Sequence, residues 1–99
     1  HISRGLKASK STILMFMITP QDQLQKVFAE NLRQRRKLLR LSQEALALLA
    51  GVDRTFVSQI ERGIGNPSLQ TMARLANTLD IDLPSLLIRA DDGPVLEGP

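Results

Sequence analysis

The chain has 99 residues, of which 42% are hydrophobic and 23% charged, with a net charge of +3. That is the composition of a single small globular domain, with a folded part of about seventy residues once the tails are set aside. It holds no Cys, Trp or Tyr, and its one His is residue 1, which excludes disulfides and thiolate zinc sites and argues against histidine-based catalysis.

Residues 1–20 differ from the remainder. They carry Arg4, Lys7 and Lys10 and no acid, and they do not begin with Met. They read as a tag, a linker or upstream translated sequence, with Met15 or Met17 as a natural start; a short strand or a dimer arm is the second reading. The apolar run at residues 13–18 is far short of the roughly twenty residues that cross a bilayer. It is also too short for a signal peptide, and Pro20-Gln21-Asp22-Gln23 is no small-residue cleavage site.

Pro20 suits the first turn of a helix, and Asp22 suits its positive end. Helix 1 is expected over about residues 21–40, with Leu24, Phe28, Leu32 and Leu39 at helical spacing and Val27 beside them. Four residues beyond Leu32 the stripe meets Arg36, and a charge facing a core normally needs a buried partner. Residues 33–40 hold five of the thirteen basic residues, Arg33, Arg35, Arg36, Lys37 and Arg40. Such a cluster fits a polyanion partner or a solvated helix face.

Ser42 is the expected N-cap of helix 2, over about residues 43–50, with Leu46, Leu49 and Ala50 inward. Gly51 ends it, because glycine accepts the left-handed conformation that follows a helix. Asp53 caps helix 3, which starts at about Arg54 and ends near Arg62-Gly63. Residues 63–67 are a loop by composition. Ser68 caps helix 4, over about residues 69–79, with Leu69, Met72, Leu75, Ala76 and Leu79 on one face. Asp82 caps a short helix 5 at residues 83–88, with Pro84 in its first turn. Residues 90–99, rich in Gly and Pro and carrying Asp91, Asp92 and Glu97, are expected to be a disordered tail. The fold class is therefore all-α, with five helices and one domain over residues 21–89.

Helices 2 and 3 carry the functional signal. Two helices crossing steeply at a tight turn need a small residue at the crossing and positive φ in the turn. Ala47 and Gly51 supply these, four positions apart, while Val52, Val57 and Ile60, with Phe56 nearby, tie helix 3 to the core. Arg54, Thr55, Ser58, Gln59 and Arg62 form its polar outer face. Arg can bond guanine bidentately, Gln can bond adenine, Ser serves several bases and the Thr methyl meets thymine. Polar residues coating a solvent-exposed helix would look the same on this face alone.

At these residues the sequence resembles the lambda-repressor-like family of phage repressors, Cro proteins and XRE-type bacterial regulators. The resemblance lies in Ser-Gln-Glu-x-Leu-Ala-x-x-Ala-Gly-Val from Ser42, in Val-Ser-x-Ile-Glu-Arg-Gly from Val57, in Asn66-Pro67-Ser68-Leu69, and in Ala73-x-Leu-Ala-x-x-Leu79. It covers about residues 24–88 and implies a five-helix fold with helix 3 in the major groove. It implies base contacts from Arg54, Thr55, Ser58 and Gln59, and phosphate contacts from Gln43, Arg62 and Asn66. It also implies a structural pair between Arg36 and Glu61. Residues 53–62 look like those of the controller proteins of restriction–modification systems, although antitoxin-type and phage-type repressors share most of the pattern.

The partners expected are double-stranded DNA and a second copy of the chain, bound as a two-fold dimer on a palindromic operator. Leu83, Leu86, Leu87 and Ile88 are the candidate dimer interface; closing the monomer core is the other reading of the same residues. The resemblance implies a bacterial or phage-encoded, cytoplasmic, nucleoid-associated regulator. An antitoxin or protein-interaction module, with residues 1–20 or 90–99 binding the partner, is the alternative. A contact with RNA polymerase would use Glu44 or the loop between helices 3 and 4. The sequence offers no nucleophile–base pair, phosphate loop or metal-ligand cluster, so no enzyme activity, cofactor or metal is expected.

Overall fold

The computed structural model describes residues 20–89, so the expectations for residues 1–19 and 90–99 lie outside the described residues. Within them the chain forms five helices: α1 (Pro20–Leu38), α2 (Gln43–Ala50), α3 (Arg54–Glu61), α4 (Leu69–Thr78) and α5 (Leu83–Leu86). The helix boundaries follow local chemistry. The Ala45 N–H donates to the Ser42 hydroxyl at 2.9 Å, the Thr55 N–H to the Asp53 carboxylate at 2.7 Å, and the Thr71 N–H to the Ser68 hydroxyl at 3.1 Å. Each of these satisfies an amide that the helix itself leaves unpaired.

One core joins all five helices. Phe28 and Leu32 of α1, Leu46 and Ala47 of α2, Val57 and Ile60 of α3, and Leu75 of α4 meet Leu79 and Leu86, all buried. The helix α1 is the spine, and its polar side chains reach three distant segments. Gln25 donates to the Gly65 carbonyl at 2.9 Å, and Asn31 to the carbonyls of Leu86 and Ile88 at 2.9 and 2.8 Å. Arg35 donates to the carbonyls of Leu79 and Asp80 at 2.9 and 3.0 Å. Arg35 thereby caps the end of α4, where Asp80 takes the left-handed conformation at φ 55°. Among the described residues no helix is long and apolar enough to cross a membrane.

Several expected inward positions are corrected. Helix α1 stops at Leu38, two residues short of the expected end, because Arg40 turns left-handed at φ 60°. Leu39 keeps the helical bond from its N–H to the Arg35 carbonyl at 3.1 Å but is 39% exposed at the helix end, while Leu41, beyond the turn, packs on the core. Leu24 is half exposed. Leu49, expected inward, is 64% exposed. At about 100° per residue, Ala47 and Ala50 lie on one side of Leu46 and Leu49 on the other, and α3 and α4 pack on the first side. Leu69 is the first residue of α4 and is 67% exposed. Helix α5 ends at Leu86, and Asp82 makes no side-chain bond to its backbone; its carboxylate accepts from the Ser85 hydroxyl at 2.9 Å instead.

Candidate nucleic-acid interface

The turn between α2 and α3 is built as the spacing predicts. Gly51 sits at φ 71°, and the Val52 N–H donates back to the Ala47 carbonyl at 2.9 Å. This closes the helix end with the left-handed cap that glycine favours. Ala47 is buried and packs with Val57 and Ile60 in the shared core, which its small side chain permits.

Helix α3 divides cleanly by face. Val57 and Ile60 are buried, and Phe56 and Val52 pack against them partly buried. On the other side Arg54, Thr55 and Gln59 are exposed and Ser58 is half-buried. These four side chains occupy one polar surface, in reach of anything that lies along the helix. Arg62 follows as the C-cap residue and Asn66 stands in the next loop, both exposed. That loop is held to the helix by the Ile64 and Gly65 N–H groups, which donate to the Gln59 carbonyl at 3.1 and 3.0 Å.

Arg36 and Glu61 form a buried ion pair. Arg36 Nε donates to Glu61 Oε2 at 2.6 Å and Nη2 to Oε1 at 2.9 Å, a bidentate fork. Its third donor, Nη1, meets the Leu41 carbonyl at 2.8 Å. The hydrogen bond to Glu61 raises the Arg36 pKa above its ordinary value, against the opposing effect of burial and with the help of the carboxylate charge. The charge on the apolar stripe of α1 thus has the partner it required.

One contact was not foreseen. The Gln43 side-chain nitrogen donates to Glu61 Oε1 at 3.0 Å, so Gln43 is half-buried and joined to the ion pair. Nothing in the spacing of Gln43 and Glu61 announces this, because the two residues meet only once α2 and α3 have packed.

The basic cluster also resolves into separate uses. Arg36 serves the ion pair and Arg35 caps α4, which leaves Arg33, Lys37 and Arg40 exposed. Among the described residues no group of three potential metal ligands is present. Leu86 is 1% exposed and belongs to the monomer core, whereas Leu83 and Leu87 are partly buried and Ile88 is 36% exposed. The monomer therefore uses Leu86 itself, and only the other three residues of that expected interface retain free apolar surface.

A family model described as helix-turn-helix (HTH_3) matches residues 32–86. The control protein C.SmaI of Serratia marcescens is 39% identical over 66 residues, which are 67% of this chain and 79% of the relative. The solved structure of the restriction-modification controller protein C.AhdI from Aeromonas hydrophila superposes with a TM-score of 0.61 and 44% identity, over 63% of this chain and 94% of that one. A hydroxypropylphosphonic acid epoxidase from S. wedmorenis also superposes, with a TM-score of 0.64 and 30% identity, over 79% of this chain but 44% of its own. The fold by itself does not fix a whole protein's activity, yet the two controllers are matched over most of their length. Because the family match runs from the middle of α1 to the end of α5 and includes both helices of the turn, this chain belongs to the helix-turn-helix family of DNA-binding transcriptional regulators.

Proposed function

We propose that the chain is a sequence-specific regulator of the controller type, binding double-stranded DNA as a homodimer with α3 in the major groove. The observation that carries this reading is the polar surface of α3. Arg54, Thr55 and Gln59 are exposed beside Ser58, on a helix whose opposite face is fixed in the core. Side chains on a rigidly held helix can discriminate base edges, because their starting positions are defined. Gln43, bonded to the last residue of α3, Arg62, which follows it, and Asn66 in the next loop are assigned to phosphates. The similarity to C.SmaI and C.AhdI supports the controller assignment. One recognition helix reads only a few base pairs, which favours a two-fold dimer on a palindrome with half-sites roughly 34–36 Å apart.

Selection of duplexes from a random pool at about 150 mM salt tests this, since weak phosphate-only binding fades as salt rises. Enrichment of one palindrome is the expected result. A folded protein that enriches nothing would sink the reading and move the weight to a protein-interaction module.

A further inference from the structure

The ion pair does more than join α1 to α3. We infer that Glu61 is a positioning residue for Gln43, holding its side-chain amide so that one N–H faces a DNA phosphate; the inference rests on the DNA-binding reading above. Gln43 is the first residue of α2, and its amide nitrogen lies 3.0 Å from Glu61 Oε1. An ionised carboxylate only accepts, so the nitrogen of the Gln43 amide must face Glu61 and its oxygen must face away. An NH2 group has two donors in a plane. With one committed to Glu61, the direction of the other is set and it cannot rotate freely.

A carboxylate beside a phosphate site would ordinarily repel the phosphate. Here Arg36 removes that objection, because its guanidinium holds both Glu61 oxygens at 2.6 and 2.9 Å. The same guanidinium donates to the Leu41 carbonyl at 2.8 Å and so fixes the chain entering α2. Arg36, Glu61 and Gln43 therefore form one frame across α1, α3 and α2. Glu61 is also the last residue of the helix that carries the base-reading face. The distance between phosphate contact and base contacts is thus set inside the protein before DNA arrives. Phosphate contacts fix register on the duplex, and a frame of this kind makes that register rigid.

The test is a double-substitution cycle on the full chain. Its first arm is Gln43→Ala in the wild-type background. Its second is Gln43→Ala in an Arg36→Met, Glu61→Leu background, where an apolar pair replaces the ion pair without change of net charge. Binding to a short mixed-sequence DNA duplex is read at low salt, and folding is checked by thermal melting. Gln43→Ala is expected to weaken wild-type binding by about tenfold, as for a hydrogen bond to a charged group. The apolar background is expected to lose a similar factor, and Gln43→Ala is then expected to cost less than about twofold more, the two effects being one. Equal loss from Gln43→Ala in both backgrounds, or none in either, overturns the assignment while DNA binding by the wild type stands. If the wild type binds no duplex, the DNA-binding reading itself falls.

A second measurement needs no variant. In the free wild-type protein the Gln43 side-chain NH2 should show the rigid relaxation of a backbone amide, in contrast to that of exposed Gln70. Equal mobility of the two would overturn the assignment even if the apolar background failed to fold.

Discussion

At the scale of single residues, two glycines are held for different reasons. A Cβ on Gly65 would lie 2.9 Å from the Ile60 backbone nitrogen and 3.1 Å from its Cα, inside α3. Backbone cannot yield as a flexible side chain can, so Gly65→Ala is expected to cost ~1–3 kcal/mol in urea denaturation. Gly51 has open space around it but sits at φ +71°. Gly51→Ala should therefore cost less, about 1–2 kcal/mol from the left-handed strain alone. Glu61 is the most consequential polar residue, because its removal leaves Arg36 charged and unpaired in the core. Glu61→Ala is expected to lose ~3–5 kcal/mol of stability by the same measurement. None of these three changes touches the outer face of α3, so denaturation midpoints and DNA affinity can be read apart at Gly51.

At the scale of elements, the three side-chain caps are worth comparison with the fourth. Ser42, Asp53 and Ser68 each accept a backbone N–H, whereas Asp82 does not. Alanine at each of the first three should destabilise by ~1 kcal/mol, and at Asp82 by clearly less. Equal losses at all four in chemical denaturation would contradict this geometry. Helix α3 gives the functional counterpart. Arg54→Ala and Gln59→Ala are each expected to weaken specific binding by ~1–3 kcal/mol and to relax base preference in repeated selection. Specificity left intact by both would mean that another face reads the bases. Elements also explain what the sequence could and could not announce. The caps at Ser42, Asp53 and Ser68, and the turn at Gly51, are local hydrogen-bond chemistry, and each stands where the residue types placed it. The inward face of α2 is different. Leu46, Leu49 and Ala50 are all apolar in sequence, and only the packing of α3 and α4 on one side of the helix leaves Leu49 in solvent.

At the scale of the molecule, the free apolar surface near α5 bears on assembly. Leu86 is spent in the core, leaving Leu83, Leu87 and Ile88, with Ile88 36% exposed. If these cover one another across a two-fold axis, Ile88→Asp should leave the monomer fold intact and disrupt the dimer. Light scattering at high micromolar concentration is expected to report about twice 11.0 kDa for the wild type and near 11.0 kDa for the variant. A wild-type chain that stays at monomer mass would remove the dimer from the proposal and with it the reason for a palindrome.

The sequence by itself determined the five helices, the caps at Ser42, Asp53 and Ser68, the turn at Gly51 and the presence of a two-helix unit of this family, because all of these follow from residue type at short range. It also showed that Arg36 sits on an apolar stripe and needs a partner; the family resemblance supplied Glu61. Tertiary structure alone decided how the basic cluster is divided. Beside Arg36, Arg35 reaches the end of α4, while Arg33, Lys37 and Arg40 remain for solvent, a partition set by where other helices lie around α1. It alone brought Gln43 to Glu61, since a hydrogen bond across eighteen residues depends on the crossing of two helices and not on the chain between them.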